Sequence, residues 1–250
     1  MSEILQSGHE PQCPQLRMTD GVHALIACAG NGSRAGGDLP KQYRLLAGQP
    51  VVQHTLAAFR ALGERLASLH VVIAPDDAYF ERAVTLAADG RERLHRVGGA
   101  TRRQSVLNGL VAMAESGAAP DGDWVLVHDA ARCLVTPAQI GALIDACAGD
   151  AAGGLLALPL ADTLKLAHQG RAMQTLARSD KWLAQTPQMF RAGALQAALR
   201  QADDDVTDEA GAMEQAGWRP LLVAGSAQNF KLTYAEDFAM AEAILRSRTA

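Results

Sequence analysis

The feature that most constrains the fold of this chain is an alternation. Short, apolar, β-branched runs at His23–Ala29, Leu69–Ala74, Leu94–Val97, Trp124–His128, Gly154–Leu158 and Pro220–Ala224 take turns with longer stretches of helical period. The helical stretches lie near Val51–Leu62, Tyr79–Ala88, Arg102–Glu115, Pro137–Ala148 and Ala192–Gln201, and a last one spans Ala235–Arg246. Strands that alternate with helices are joined by crossovers, and crossovers set successive strands parallel with helices on both faces. No repeat or low-complexity tract interrupts the pattern. The expectation is one α/β domain, 21–250, with a mainly parallel sheet. The polar, proline-bearing residues 1–20 lack the apolar core of a signal peptide and are expected to form a disordered extension.

One segment breaks the rhythm. From Pro159 to Gln185 the sequence is strand-like at both ends, "PLADTLKLA" and "AMQTLARS", around an "HQG" turn. The spacing predicts a two-stranded arm, about 159–185, projecting from the sheet. An isolated hairpin is marginal in water, so this arm needs a partner surface, and a second copy of the chain is the economical one.

Composition excludes several classes. A net charge of −4 over 250 residues gives nucleic acid no electrostatic footprint. No run of about 18 apolar residues is present, so no membrane-spanning helix is expected. The four cysteines, Cys13, Cys28, Cys133 and Cys147, are scattered without metal-ligand or disulfide spacing, which fits a reducing cytoplasm.

The chemistry concentrates in "AGNGSRAGGDLPKQY", Ala29 to Tyr43, directly after the first strand. "GNGSRA" satisfies the GxGxxA of a dinucleotide-binding dehydrogenase. Gly36, Gly37 and Pro40 bar the helix that should follow, however, and no acidic residue stands about twenty positions on. A Walker A ending is missing too. A longer loop that wraps a triphosphate with its backbone N–H groups, starting at Ala29, Gly30 and Gly32, suits the residues better. Arg34 and Lys41 then neutralise charge at the α-phosphate, unless they are solvated loop cations.

Further along, "GGATRRQSVLNGL" places Gly99 and Ser105 at a turn into a helix, where they contact a base or phosphate, unless the glycines form an ordinary turn and Ser105 is an exposed helix residue. "WVLVHDAARCLV" sets Asp129 and Arg132 at the carboxyl end of a strand, where open α/β sheets hold ligands. Asp129 suits Mg2+, directly or through water; a structural Asp129–Arg132 pair is the alternative. His128 reads as strand-end packing. Thr163 and Arg178 fall on opposite strands of the arm and, if functional, reach across a dimer. "AQTPQMF" returns the chain to the core with Pro187 limiting it to an edge or turn. Thr207 reads as a helix N-cap with Asp208 and Glu209 in the first turn, or as an anion donor. Lys231, a lone cation in an apolar strand, needs an anionic partner.

Seven of these pieces occur in one order between about Ala24 and Glu242: the glycine loop through "QPVVQHTLAAF", "VGGATRRQSVLNGL", "VHDAAR", "ALPLADTLK", "WLAQTPQMF", "TDEAGAMEQAG" and "NFKLTYAEDF". Together they resemble the 2-C-methyl-D-erythritol 4-phosphate cytidylyltransferases of the non-mevalonate isoprenoid pathway. The resemblance implies a Rossmann-like nucleotidyltransferase domain that joins CTP and the polyol phosphate, with Mg2+, and releases pyrophosphate. It implies catalytic roles for Arg34, Lys41 and Lys231, cytosine contacts at Gly99 and Ser105, and a nucleotide-side pair at Asp129 and Arg132. It also implies polyol-phosphate contacts at Thr163 and Arg178 from a neighbouring subunit, with Thr186 and Thr207 in the same pocket, in an arm-mediated homodimer. Ala27 and Cys28 depart from the family's Pro-Ala, Ala35 from its usual Met, and Cys133 from its proline. A ribitol 5-phosphate cytidylyltransferase is the nearest alternative; a non-catalytic dimeric nucleotide-binding module is a more distant one.

Overall fold

The computed structural model describes residues 20–30 and 39–249; the expected extension, Cys13 and the loop residues 31–38, with Gly32, Arg34 and Ala35, lie outside the described residues. The chain opens with β1 (Val22–Ala27), a 3-10 turn at Lys41–Tyr43, the short pair β2 (Leu45–Leu46) and β3 (Gln49–Pro50), and α1 (Val51–Arg60). There follow β4 (Ser68–Val72), α2 (Phe80–Ala83), β5 (Glu92–His95), α3 (Arg102–Glu115), β6 (Trp124–Asp129), α4 (Pro137–Cys147) and β7 (Gly154–Pro159). The second half holds β8 (Leu164–His168), β9 (Arg171–Leu176), β10 (Trp182–Arg191), α5 (Ala192–Gln201), α6 (Glu209–Gln215), β11 (Leu221–Ala224) and α7 (Glu236–Thr249).

Seven strands form the main sheet in the order β11-β7-β10-β6-β1-β4-β5. Neighbours are parallel except β10, which runs antiparallel to both β7 and β6. Alternation along the strands feeds two cores. Ala24, Ile26, Val71 and Leu126 face α1 and α4, packing on Leu56, Phe59, Ile140 and Leu143. Leu25, Val72, Val125 and Val127 face the other way onto Val106, Leu110, Leu195 and Met213 of α3, α5 and α6. Helices thus cover both faces, which is why these strands carry apolar side chains on both sides. Among the described helices none is long and apolar enough to cross a membrane.

The second core also contains a polar chain. Asp123 accepts from His23 Nε2 at 2.9 Å, and Ser68 Oγ lies 2.7 Å from both His23 Nδ1 and His70 Nε2. His70 Nδ1 in turn lies 2.8 Å from His95 Nε2. Burial, with His95, His23 and Arg93 nearby, pulls the His70 pKa down to about 3.

Three expectations need correction. The helix expected over Tyr79–Ala88 is only the four residues of α2, after which Val84 is extended. Pro187 sits in β10, an interior strand, not at an edge: it falls within the register shift between Ala184 and Gln188, where the ladder to β7 is already interrupted. The cap of α6 is Asp208, whose carboxylate accepts from Gly211 N, and Thr207 is exposed outside it. Asp20, the last residue of the expected extension, accepts from Arg191 Nη1 at 2.5 Å.

The arm is present as a separate two-stranded sheet, β8 with β9. Its turn residues Gln169 and Gly170 both have positive φ, 48° and 75°, as a two-residue turn matched to strand twist requires. Lys165 Nζ donates to Thr175 Oγ1 across the ladder at 2.6 Å. Leu166, Met173 and Leu183 are exposed by half or more.

Candidate active site

The strand order places β1 between β4 and β6, and chains leave the carboxyl ends of these strands in opposite directions. Such a crevice is where open α/β sheets bind ligands. A cleft of about 590 Å³ occupies it, walled by Ala29 and Gly30 after β1, Gly99 and Ser105 after β5, and Asp129 at the end of β6. Lys41, Arg102 and Lys231 complete the wall.

Two packing devices hold the walls. A Cβ on Gly98 would lie 2.5 Å from Ala29 Cβ and 2.8 Å from Ile73 O, so only glycine lets the two glycine segments approach. Gln42 Nε2 donates to Cys28 O at 3.1 Å and Gly30 O at 2.8 Å, tying the far end of the loop to its start. Ser105 is buried, not an exposed helix residue: its hydroxyl donates to Thr101 O at 2.9 Å and accepts from Gly99 N at 3.0 Å.

The floor is a row of alternating charges. Asp129 Oδ2 meets Lys231 Nζ at 2.8 Å, and Asp129 Oδ1 meets Arg102 Nε at 2.6 Å. The two terminal nitrogens of Arg102 then donate to both oxygens of fully buried Glu209, at 2.6 and 2.9 Å. Burial pushes the Asp129 carboxyl up, but Arg102 and Lys231 outweigh it and hold the group well below the usual carboxylate range. Burial pulls Arg102 down, and Asp129 with Glu209 raise it above its ordinary value. The anionic partner that Lys231 needs is therefore Asp129. Residues 229–233, expected as a strand, are instead irregular. Lys41 Nζ donates to Leu232 O at 2.7 Å, which brings the second lysine to the same end of the cleft.

The expected Asp129–Arg132 pair does not form. Arg132 Nη1 donates to Asn229 O at 2.8 Å instead, because Arg102 and Lys231 already occupy both Asp129 oxygens. His128 is fully buried; its Nε2 donates to Arg132 O at 3.1 Å, and its Nδ1 accepts from Thr186 Oγ1 at 2.9 Å. Burial pulls its pKa down to about 3, so it is a neutral packing group, as its position in the sequence suggests. Thr186 Oγ1 also accepts from Asp129 N at 3.1 Å, supplying the partner that the interrupted β10 ladder does not. Thr163, Arg178 and Thr207 are exposed and line no part of this cleft.

Sequence reasoning missed Arg102, Glu209 and Gln42. The "TRRQ" stretch carried a signal for Arg102, but nothing local separates it from Arg103, which turns away to Ala202 O and Asp204. Among the described residues, no group of three or more His, Cys, Asp or Glu side chains gathers as a metal site. A single carboxylate plus substrate phosphates is, however, a set that Mg2+ commonly uses.

Comparison with known proteins agrees with this geometry. The family model for IspD, 2-C-methyl-D-erythritol 4-phosphate cytidylyltransferase, matches residues 22–247. A protein of that name from Paraburkholderia xenovorans is 54% identical over 235 residues, covering 91% of this chain and 98% of its own length. A bifunctional IspD/IspF enzyme from Albidiferax ferrireducens is 59% identical over 94% of this chain, which spans only 56% of that longer protein. Among crystal structures, a 4-diphosphocytidyl-2C-methyl-D-erythritol synthase superposes with a TM-score of 0.81 at 38% identity, covering 91% of this chain and all of the other. The Francisella tularensis 2-C-methyl-D-erythritol 4-phosphate cytidylyltransferase gives 0.75 at 32% identity, over 89% and 98% of the two chains. The chain belongs to the 2-C-methyl-D-erythritol 4-phosphate cytidylyltransferase family.

Proposed function

We propose that this chain transfers the cytidylyl group of CTP to 2-C-methyl-D-erythritol 4-phosphate, giving 4-diphosphocytidyl-2-C-methyl-D-erythritol and pyrophosphate. An oxygen of the polyol phosphate forms a bond to the α-phosphorus in line while the bond from α-phosphorus to the bridging oxygen breaks, and pyrophosphate carries away that electron pair. The nucleophile is already an anion, so no general base is required. The chain's task is alignment and charge stabilisation. The observation that carries the reading is the meeting of Lys41 and Lys231 at the Asp129 end of a glycine-walled cleft.

Lys41 and Lys231 stabilise the negative charge that builds at the α-phosphate, with Arg34 from the glycine loop. Ala29, Gly30 and Gly32 cradle the triphosphate by backbone N–H groups, and the turn of Gly99 and Ser105 receives the cytosine. Arg132 and Asp129 flank the nucleotide. Asp129 would hold Mg2+, and the ion would supply neutralisation of triphosphate charge. Thr163 and Arg178 flank the base of the arm outside their own cleft, so they serve the polyol phosphate of a neighbouring subunit, alongside Thr186 and Thr207. The exposed Leu166, Met173 and Leu183 supply the apolar surface for that homodimer. The reaction belongs to the cytoplasm.

Pyrophosphate release with CTP, Mg2+ and methylerythritol phosphate tests the reading. Release is expected, abolished by chelator, and slower with ribitol 5-phosphate; no release with either polyol phosphate refutes it. Mixing an inactive Lys41→Ala chain with an inactive Arg178→Ala chain is expected to restore part of the activity, because one heterodimer site is then intact. No recovery in a confirmed heterodimer would rule out a shared site.

A further inference from the structure

The floor of the cleft holds four charges in a row, and the transfer reading uses only Lys231 and Asp129. Glu209 and Arg102 are left over. Glu209 is fully buried at the first position of α6, and Arg102 takes both of its oxygens through Nη1 and Nη2. A carboxylate that meets a guanidinium in this way fixes the plane of the guanidinium as well as its place. With the end of the guanidinium held on Glu209, Arg102 presents Nε to Asp129 Oδ1. Asp129 Oδ2 is thereby left to Lys231, 2.8 Å away.

We infer that Glu209 is a positioning residue for the transfer reaction: through the Arg102 fork it orients Asp129 and so sets where the Lys231 ammonium waits, while its charge cancels that of Arg102 at the cleft wall. Without that charge the fork is free to turn onto Asp129 and take both oxygens, and Lys231 loses its seat. The cleft also gains one net positive charge, which favours a polyanionic nucleotide before any bond is made. Ground-state affinity and turnover therefore move in opposite directions. A merely loosened fold lowers both.

The inference rests on the cytidylyl-transfer reading, so wild-type pyrophosphate release is measured first; a wild type that releases none defeats that reading and not the coupling between Glu209 and Arg102, which CTP calorimetry reads separately. The variants are Glu209→Gln, Arg102→Gln and the double substitution. Glu209→Gln is expected to bind CTP about three- to tenfold more tightly, and to turn over about thirtyfold more slowly with saturating substrates. In the Arg102→Gln background the same substitution is expected to change neither quantity by more than about twofold. CTP affinity and kcat that fall together, that stay unchanged, or that respond to Glu209→Gln equally in both backgrounds overturn the inference. Should Glu209→Gln alone fail to fold, the double variant carries the test, since two neutral groups then face each other. A double variant that matches Arg102→Gln supports the positioning role; one that differs by more than about threefold, or also fails to fold, overturns it.

Discussion

Two buried polar chains run through this molecule, and they are built from opposite chemistry. The cleft floor, Glu209–Arg102–Asp129–Lys231, consists of formal charges that alternate in sign and sum to zero. The chain under α3, Asp123–His23–Ser68–His70–His95, consists largely of neutral donors and acceptors. It has one consistent proton arrangement with neutral rings. His95 Nε2 donates to His70 Nδ1, His70 Nε2 donates to Ser68, and Ser68 donates to His23 Nδ1. His23 Nε2 then donates to Asp123. A proton added to His70 makes its Nδ1 a donor, so His95 must switch tautomer and accept through Nε2, and the buried ring carries a charge. The charged floor costs desolvation but offers a field that a triphosphate can use. The histidine chain ends on the single carboxylate of Asp123 and lines no part of the cleft. One polar network underlies the cleft, and the other closes hydrogen bonds between β1, β4 and β5.

That contrast can be broken by experiment. Lys41→Ala and Lys231→Ala are each expected to lower kcat by at least about a hundredfold, as loss of preorganised transition-state charge does. Near-normal turnover in either would remove that lysine from the chemistry. Thr186→Val takes away the acceptor for Asp129 N and the donor to His128 Nδ1 together, and is expected to cost about 1–3 kcal/mol in urea unfolding. A cost within error would mean that water replaces the hydroxyl.

Acid separates the two chains next. Burial depresses the His70 and His95 pKa values in the folded state, so the unfolded chain takes up protons first. Their contribution is complete above the ordinary histidine value of 6.5 and is lost as pH falls toward about 3, at up to about 1.4 kcal/mol per pH unit for His70. Asp129, also depressed, keeps its contribution until pH falls below its ordinary 3.8. Unfolding midpoints between pH 7 and 4.5 are expected to drop in the wild type and to drop less in His70→Gln. An equal slope in both would place the acid sensitivity elsewhere. The smallest effect closes the comparison: His95→Gln is expected to leave kcat within about twofold, since the ring pairs with His70 outside the cleft lining, and a larger loss would join the two networks.

Much of this architecture was legible because it depends on local pattern. The alternation of apolar runs and helical periods gave the parallel strands and both helical layers, and the "HQG" turn gave the arm. What stayed hidden depends on contacts far apart in sequence. Nothing local in "AQTPQMF" shows that Thr186 repairs the ladder around Pro187 and so lets β10 enter the middle of the sheet. Lys231 was legible as a cation in need of an anion, but its competitor for Asp129 was not: Arg102 wins over Arg132 through a glutamate 107 residues away. Periodicity also overextended α2, where Val84 turns the backbone extended after a single helical turn.

The hydrogen bond from Lys41 to the Leu232 carbonyl spans 191 positions of the chain. A ribosome therefore makes the loop lysine 191 residues ahead of the carbonyl that it will hold. Until residue 232 has emerged and docked, Lys41 lacks that acceptor, so this end of the cleft is tied together only after every strand of the main sheet has been made.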